Sequence, residues 1–226
     1  MIDSFVGISF FNSNLDRDLF KVFHIKTFVF YNDKPPINLV GPVYLLDTSK
    51  YDNLRDQTVL LQSRLVKFFP WLYVPEYEFF VYSDYRIDVH ERFFVDLQID
   101  HFPLFLRHRE GGVYLHELLR NYDRGRIRSE AFDSINNLIQ GRFDMPITEN
   151  GVMCLQKSDY MDIDVFIYNF RLIQRDQLVV PLLIRGNINY FKYDLSNLIY
   201  FHVNSKKFNF VNLLKRCFSF LFTRLK

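Results

Sequence analysis

The sequence predicts an α/β fold, a single mixed sheet flanked by helices, and three observations predict it. Short β-rich runs at residues 5–11, 25–33 and 42–47 are bounded by Asn, Asp, Pro or Gly and read as strands. Over residues 53–69 the apolar positions Leu54, Val59, Leu61, Leu65, Val66 and Phe69 recur near helical spacing with charges between them, and Pro70 closes the segment. Residues 76–84 then read as a buried strand that ends abruptly in polar side chains. Strands alternating with helices are the pattern of a sheet covered by helices.

The remaining elements follow in order. Helices are expected over 113–122 and 129–139, a strand over 149–157, and helical or mixed structure over 164–171 and 176–184. No internal repeat or low-complexity linker interrupts the chain. The one shift in composition falls near residue 205, so the expected organisation is one domain over 1–205 and a separate segment over 206–226.

Composition narrows the class. At 226 residues, with nearly half of them apolar and with 26 Phe and 14 Tyr against 8 Gly and 8 Pro, the chain has ample material for one hydrophobic core, and a disordered or disulfide-built chain is excluded. Cys154 and Cys217 lie far apart and form no zinc or redox spacing, so both are expected as free thiols. The N-terminal stretch has an early acid and turns polar after one strand length, and no window reaches the roughly 18 apolar residues of a spanning helix. A cytoplasmic location is expected. Net charge is +2, but six Lys or Arg and no acid lie in 206–226, leaving 22 basic and 26 acidic residues in the body. A slightly acidic body argues against nucleic acid as a partner.

In open α/β sheets ligands bind at the carboxyl ends of strands, so Ser83, Asp84, Tyr85, Arg86 and Asp88 are the first site candidates. An aspartate directly after a buried strand suits Mg2+ or Mn2+ bridging a diphosphate, since these ions take oxygen ligands and leave positions open. It suits a simple turn or cap equally well. Further on, Arg107 and Arg109 offer forked donors for phosphate or carboxylate, with His108, His116 and Glu117 nearby, and a solvated strand end explains the cluster equally well. Glu149, Asn150 and Gly151 suggest a turn that carries the backbone toward a ligand, or a turn alone. Arg175, Asp176 and Gln177 stand directly before an apolar run, either as the start of a helix whose first carboxylate meets free amides or as part of a sugar-handling site. Neither a Gly-x-Ser-x-Gly elbow, nor a phosphate-cradling Gly-rich Lys loop, nor a His-Glu-x-x-His pair occurs, so readings as an acyl hydrolase, a nucleotide triphosphatase or a zinc peptidase lack support. Cys154 lies inside an expected strand and reads as core.

Four segments taken in order, SRLVKFFPWLYVPEYEFFVYSDYRIDV, PLFLRHREGGVYLHEL, PITENGVMCLQKSD and NFRLIQRDQLVVPLLI, resemble the glycosyltransferase-like domain of plant proteins linked to seed mucilage and, in one branch, to alkaline ceramidase activity. The resemblance spans roughly residues 63–184. It implies a GT-A-like, Rossmann-like sheet and a nucleotide-sugar donor. It places Asp84, with Asp88 beyond it, at the position of a Mn2+ or Mg2+ ion. Arg86, Arg107, His108, Arg109, Asn150, Gly151, Arg175 and Gln177 would then surround the substrates, with Asp176 or Glu117 as the catalytic carboxylate. One departure stands out: most metal-dependent GT-A enzymes carry Asp-x-Asp, and here the order is Ser-Asp-Tyr-Arg-Ile-Asp, so that Arg86 is a candidate to offset diphosphate charge instead.

In the segment 206–226, Val211, Leu214, Phe218, Leu221 and Leu225 recur at helical spacing, with Lys215, Arg216, Arg224 and Lys226 at the stripe's edges or opposite it. A basic amphipathic helix of this kind suits an anionic membrane surface, or a C-terminal helix packed on the core. The expectation is therefore a peripheral membrane glycosyltransferase acting on a glycan or glycolipid acceptor. The alternatives are a membrane-lipid, ceramide-type hydrolase and a non-catalytic glycan-binding module.

Overall fold

A computed structural model describes residues 5–97, 102–107, 114–125, 127, 131, 135, 148–157, 162–183, 189–191 and 196–201. In chain order its strands are β1 (Phe5–Asn12), β2 (Lys21–Val22), β3 (Thr27–Asn32), β4 (Leu39–Val40), β5 (Val43–Asp47), β6 (Phe79–Ser83), β7 (Ile87–Val89), β8 (Leu104–Arg107), β9 (Thr148–Gln156), β10 (Asn189–Tyr190) and β11 (Ile199–Phe201). Its helices of four or more residues are α1 (Asp52–Arg55), α2 (Val59–Phe68), α3 (Glu91–Asp96), α4 (Tyr114–Asp123), α5 (Ile163–Ile173) and α6 (Asp176–Leu183). His108, Arg109, most of the helix expected over 129–139 and the whole segment 206–226 lie outside the described residues.

Seven strands form one mixed sheet in the order β10-β8-β9-β6-β1-β3-β5, so the chain adopts the expected α/β class, a mixed sheet flanked by helices. Strands β1, β3, β5 and β6 are mutually parallel, while β9 runs antiparallel between β6 and β8. Strand β1 reads as a near-continuous apolar run because both of its faces are covered, as parallel strands require. Its residues alternate between two cores. Val6, Ile8 and Phe10 join Phe80, Tyr82, Met153 and Leu155 against α2, α5 and α6, whereas Phe5 joins Val81, Val152 and Cys154 against α3. Each fully buried Phe of this kind contributes roughly 2–3 kcal/mol of transfer free energy. Cys154 is core, as expected, and burial pushes its thiol up in pKa, away from nucleophilic use.

The helix expected over 53–69 is broken. Thr58 accepts the Leu61 amide as an N-cap, so α2 starts afresh after α1 has ended. Gln62 bridges the break from inside by donating its amide to the carbonyls of Leu54 and Gln57. Strands β7 and β8 and helix α3 were absent from the sequence reading. They are short and carry charges, so their local pattern is weak, and it is pairing with β11 and β9 that defines the two strands.

Candidate functional site

From β1 the chain lays β3 and β5 on one side, then returns to place β6 on the other. The order therefore reverses between β1 and β6, the place where open α/β sheets leave a crevice at the carboxyl strand ends. An open cleft of about 770 Å³ lies there. Its floor is Phe10 and Asn12 of β1 with Tyr82 of β6. One wall is α2, through Leu60, Ser63, Arg64 and Lys67; the opposite wall is Asn150 and Gly151 of β9 with Arg175 and Gln177 at the start of α6.

Asp84 sits at the edge of this floor as expected, half-exposed and directly after β6. Its main chain makes a turn, accepting the Ile87 amide at 2.9 Å and donating to the Gly151 carbonyl at 2.8 Å. Its side chain faces the cleft, where Oδ1 receives the Tyr82 hydroxyl at 2.8 Å and the Lys67 ammonium at 3.3 Å.

Beneath the turn lies Lys21, which the sequence did not single out. It is 3 % exposed, and its ammonium donates to the carbonyls of Asp84, Tyr85 and Ile87 at 3.4, 2.9 and 2.8 Å. The three N–H groups of the ammonium are thus matched by three carbonyls. Burial drives the Lys21 pKa down to about 8, against the opposing pull of Asp88, Asp84 and Asp16. Asp88 is one of the carboxylates whose charge acts on this lysine, and it does not line the cleft. Arg86 lines the cleft but is anchored, donating from Nε to Asp16 Oδ1 at 2.8 Å and from Nη2 to the Leu15 carbonyl at 3.2 Å. Asp16 in turn accepts the Asn12 amide, so this pair ties the turn after β1 to the turn after β6.

On the opposite wall, Asn150 is buried and its Oδ1 accepts the Thr148 hydroxyl at 2.6 Å, which leaves the amide Nδ2 with no partner among the described residues. Arg175 Nε is likewise buried and unmatched among them. Arg175 Nη2 lies 3.7 Å from Glu117 Oε1, whose carboxylate also accepts Asn121 Nδ2 at 2.7 Å. Glu117 is buried behind the cleft and does not line it. Helix α6 begins at Asp176, as the apolar run after it suggested, with Arg175 at the N-cap position, its carbonyl accepting the amides of Leu178 and Val179. The register of β8 on β9 pairs Arg107 with Thr148, which brings the end of β8 to the same edge of the sheet. Of the expected site residues, the cleft thus gathers Asp84, Arg86, Asn150, Gly151, Arg175 and Gln177. It leaves Glu117 and Asp88 behind it, and adds Arg64 and Lys67, which the sequence analysis passed over.

The residues present do not fit a Mn2+ or Mg2+ ion. Asp84 Oδ1 already takes a hydroxyl and an ammonium, and among the described residues no group of three His, Cys, Asp or Glu side chains is placed to hold a metal.

No family model and no curated protein matches the chain. Among solved structures, one similar fold is that of the galactosyltransferase LgtC in complex with donor and acceptor sugar analogues. The TM-score is 0.46 at 13% identity, over 82% of this chain and 72% of that one. A likeness at that level carries nothing about the reaction, and the reading below rests on the cleft's own residues.

Proposed function

We propose that the cleft binds a nucleotide-diphosphate sugar and that the protein transfers the sugar to a hydroxyl of a glycan or lipid-linked acceptor. The observation that carries this reading is the pair of buried, unmatched donors, Asn150 Nδ2 and Arg175 Nε, set in a crevice at the switch point of the sheet. A buried donor left unmade costs about 1–3 kcal/mol, so the wall calls for a ligand rich in acceptor oxygens, as a sugar or phosphate is and an acyl chain is not.

In the transfer, the acceptor oxygen forms a bond to the sugar's anomeric carbon while the bond from that carbon to the diphosphate oxygen breaks. The diphosphate leaves with the electron pair, and the hydroxyl proton passes to a carboxylate. Asp176 is our candidate for that carboxylate, and Glu117 is assigned the holding of Arg175. The chain's single domain over 1–205 supplies this machinery. The basic segment 206–226 binds an anionic membrane surface and so brings lipid-linked acceptors within reach. No helix among the described residues is long and apolar enough to cross a membrane.

The test is a calorimetric screen of nucleoside diphosphates and their sugars, with Mn2+ present, on wild type and Asn150→Ala. One nucleotide sugar is expected to bind, roughly tenfold more weakly in the variant. Binding by none of them overturns the proposal, and binding of free glycans alone would make the protein a glycan-binding module.

A further inference from the structure

We infer that the outer face of the small β2–β4 sheet, with Leu15 and Ile37 beside it, seats on an anionic bilayer next to the segment 206–226. That contact turns the mouth of the cleft toward lipid-linked acceptors. The inference rests on the membrane part of the reading above, and vesicle binding tests it apart from sugar transfer.

It begins from an alternation that is unusual for a solvated surface. Leu19, Lys21 and Phe23 turn inward, where Leu19, Phe23 and Leu39 pack with Phe11 and Tyr85 while Lys21 holds the turn after β6. The intervening Phe20 and Val22 turn outward, and the parallel register sets Val22 beside Val40, which is exposed as well. A small sheet packed on one face is ordinarily polar on the other, and this one is apolar. Ile37 adds to it at 79 % exposure, on a backbone that is pinned. Pro35 and Pro36 precede it, and Asp18 accepts the amides of Ile37 and Asn38 at 3.1 and 3.3 Å. Single exposed apolar side chains need no explanation, but a group of them on a fixed scaffold marks a surface kept for a partner.

What surrounds this face names the partner. Strand β11 ends at Phe201, whose backbone pairs with Ile87, and the Ile87 carbonyl is one of the three that Lys21 holds. Residue 206 thus lies within roughly 18 Å of extended chain of Phe201, so a basic segment lying on a bilayer brings the apolar face to the same bilayer. The segment does not suit the face as its own cover. It carries six Lys or Arg, and of the acids in residues 13–41 Asp16 is engaged by Arg86 and Asp18 by the two amides, which leaves Asp33 as the exposed one. The same scarcity of exposed acid limits repulsion from anionic lipid. Weak membrane anchors act in pairs: an apolar contact alone binds marginally, and a basic patch beside it makes the attachment stable. Leu15 joins the face to the site, since it is 71 % exposed and also lines the cleft.

The full-length protein would be cosedimented with vesicles of phosphatidylcholine and phosphatidylserine, as wild type and with Phe20→Ser and Ile37→Ser combined. Both side chains are exposed and neither lines the cleft, so folding and nucleotide binding should be unchanged while vesicle affinity falls roughly tenfold. Ile37→Trp gives a direct reading, because the chain has one tryptophan, Trp71. The added emission should shift to the blue with vesicles and be quenched by brominated lipid, beyond any change in wild type. A double variant that sediments as wild type does overturns the inference, as does an Ile37→Trp emission that vesicles leave unchanged. A loss of oligomerisation in the double variant at unchanged vesicle affinity also overturns it and makes the face a contact between copies of the chain. Vesicle binding that depends on Phe20 and Ile37, in a protein that binds no nucleotide sugar, upholds this surface and removes the transferase reading alone.

Discussion

Arg175 reaches Glu117, 3.7 Å from Nη2 to Oε1, and so joins the two segments that sequence reasoning had offered as rival homes for the catalytic carboxylate. Glu117 is held from three sides, by Arg175, by Arg120 at 3.5 Å and by Asn121 at 2.7 Å. A carboxylate so engaged acts on the cleft through the guanidinium it positions.

Glu117→Gln is therefore expected to retain the bond from Asn121 and lose the ion pair. The guanidinium of Arg175 would then be free to shift in the cleft, and donor binding should weaken by several-fold with a raised KM and a kcat within about tenfold of wild type. Removing a general base lowers kcat itself by roughly 10²–10⁴. Measuring KM and kcat separately decides between the two, and a collapse of kcat at unchanged KM would return Glu117 to the catalytic position.

What the sequence disclosed and what it hid divide along a physical line. β1, β6 and β9 were legible because strands covered on both faces must be apolar throughout, and Asp84 was legible because a polar residue ending such a strand has nowhere to go but the rim. Lys21 was hidden by inverted alternation. Phe20 and Val22 point outward at 69 % and 39 % exposure while the lysine between them turns inward, since three carbonyls 63 to 66 positions along the chain require its N–H groups. Lys67 was hidden for a similar reason. Lysine in an amphipathic helix is ordinarily solvated, and only the approach of Asp84 from another element shows otherwise. The break before α2 was written locally, in Thr58 standing before an apolar run, but the helical spacing carried across it obscured the cap. The unmatched amide of Asn150 depends on which oxygen Thr148 finds, a matter of packing that no spacing encodes.

Deleting residues 206–226 is expected to abolish association with vesicles containing phosphatidylserine and leave binding of nucleotides to the body unchanged. On the proposed membrane role, the segment's six cations would each contribute about 1 kcal/mol near an anionic surface, within a Debye length of it, and its Phe and Leu residues would add apolar contact. Cosedimentation of the full chain should accordingly fall as salt rises and persist in part through the apolar stripe. A deletion that sediments as well as the full chain assigns the segment to the core of the protein instead.

Lys21→Met tests the clamp under the Asp84 turn through the pH dependence of stability. The Lys21 pKa falls from 10.5 to about 8 on folding, so between those values the unfolded chain binds the extra proton. Stability gained from this group must then rise with pH through that window, by up to roughly 1.4 kcal/mol per unit crossed, because the penalty of burying charge is lifted as the proton leaves. The methionine variant keeps the stem and lacks the titration. Its melting temperature should therefore lose ground to wild type as pH rises from 8 to 10.5, beyond the loss both share from other groups. At pH 7 the comparison runs the other way in origin: wild type bears the burial penalty but satisfies three carbonyls, and the variant escapes the penalty but leaves the carbonyls of Tyr85 and Ile87 without their donor. A wild-type minus variant difference that stays flat from pH 7 to pH 10.5 would show that the lysine titrates at its ordinary value, solvated, and that it does not clamp the turn.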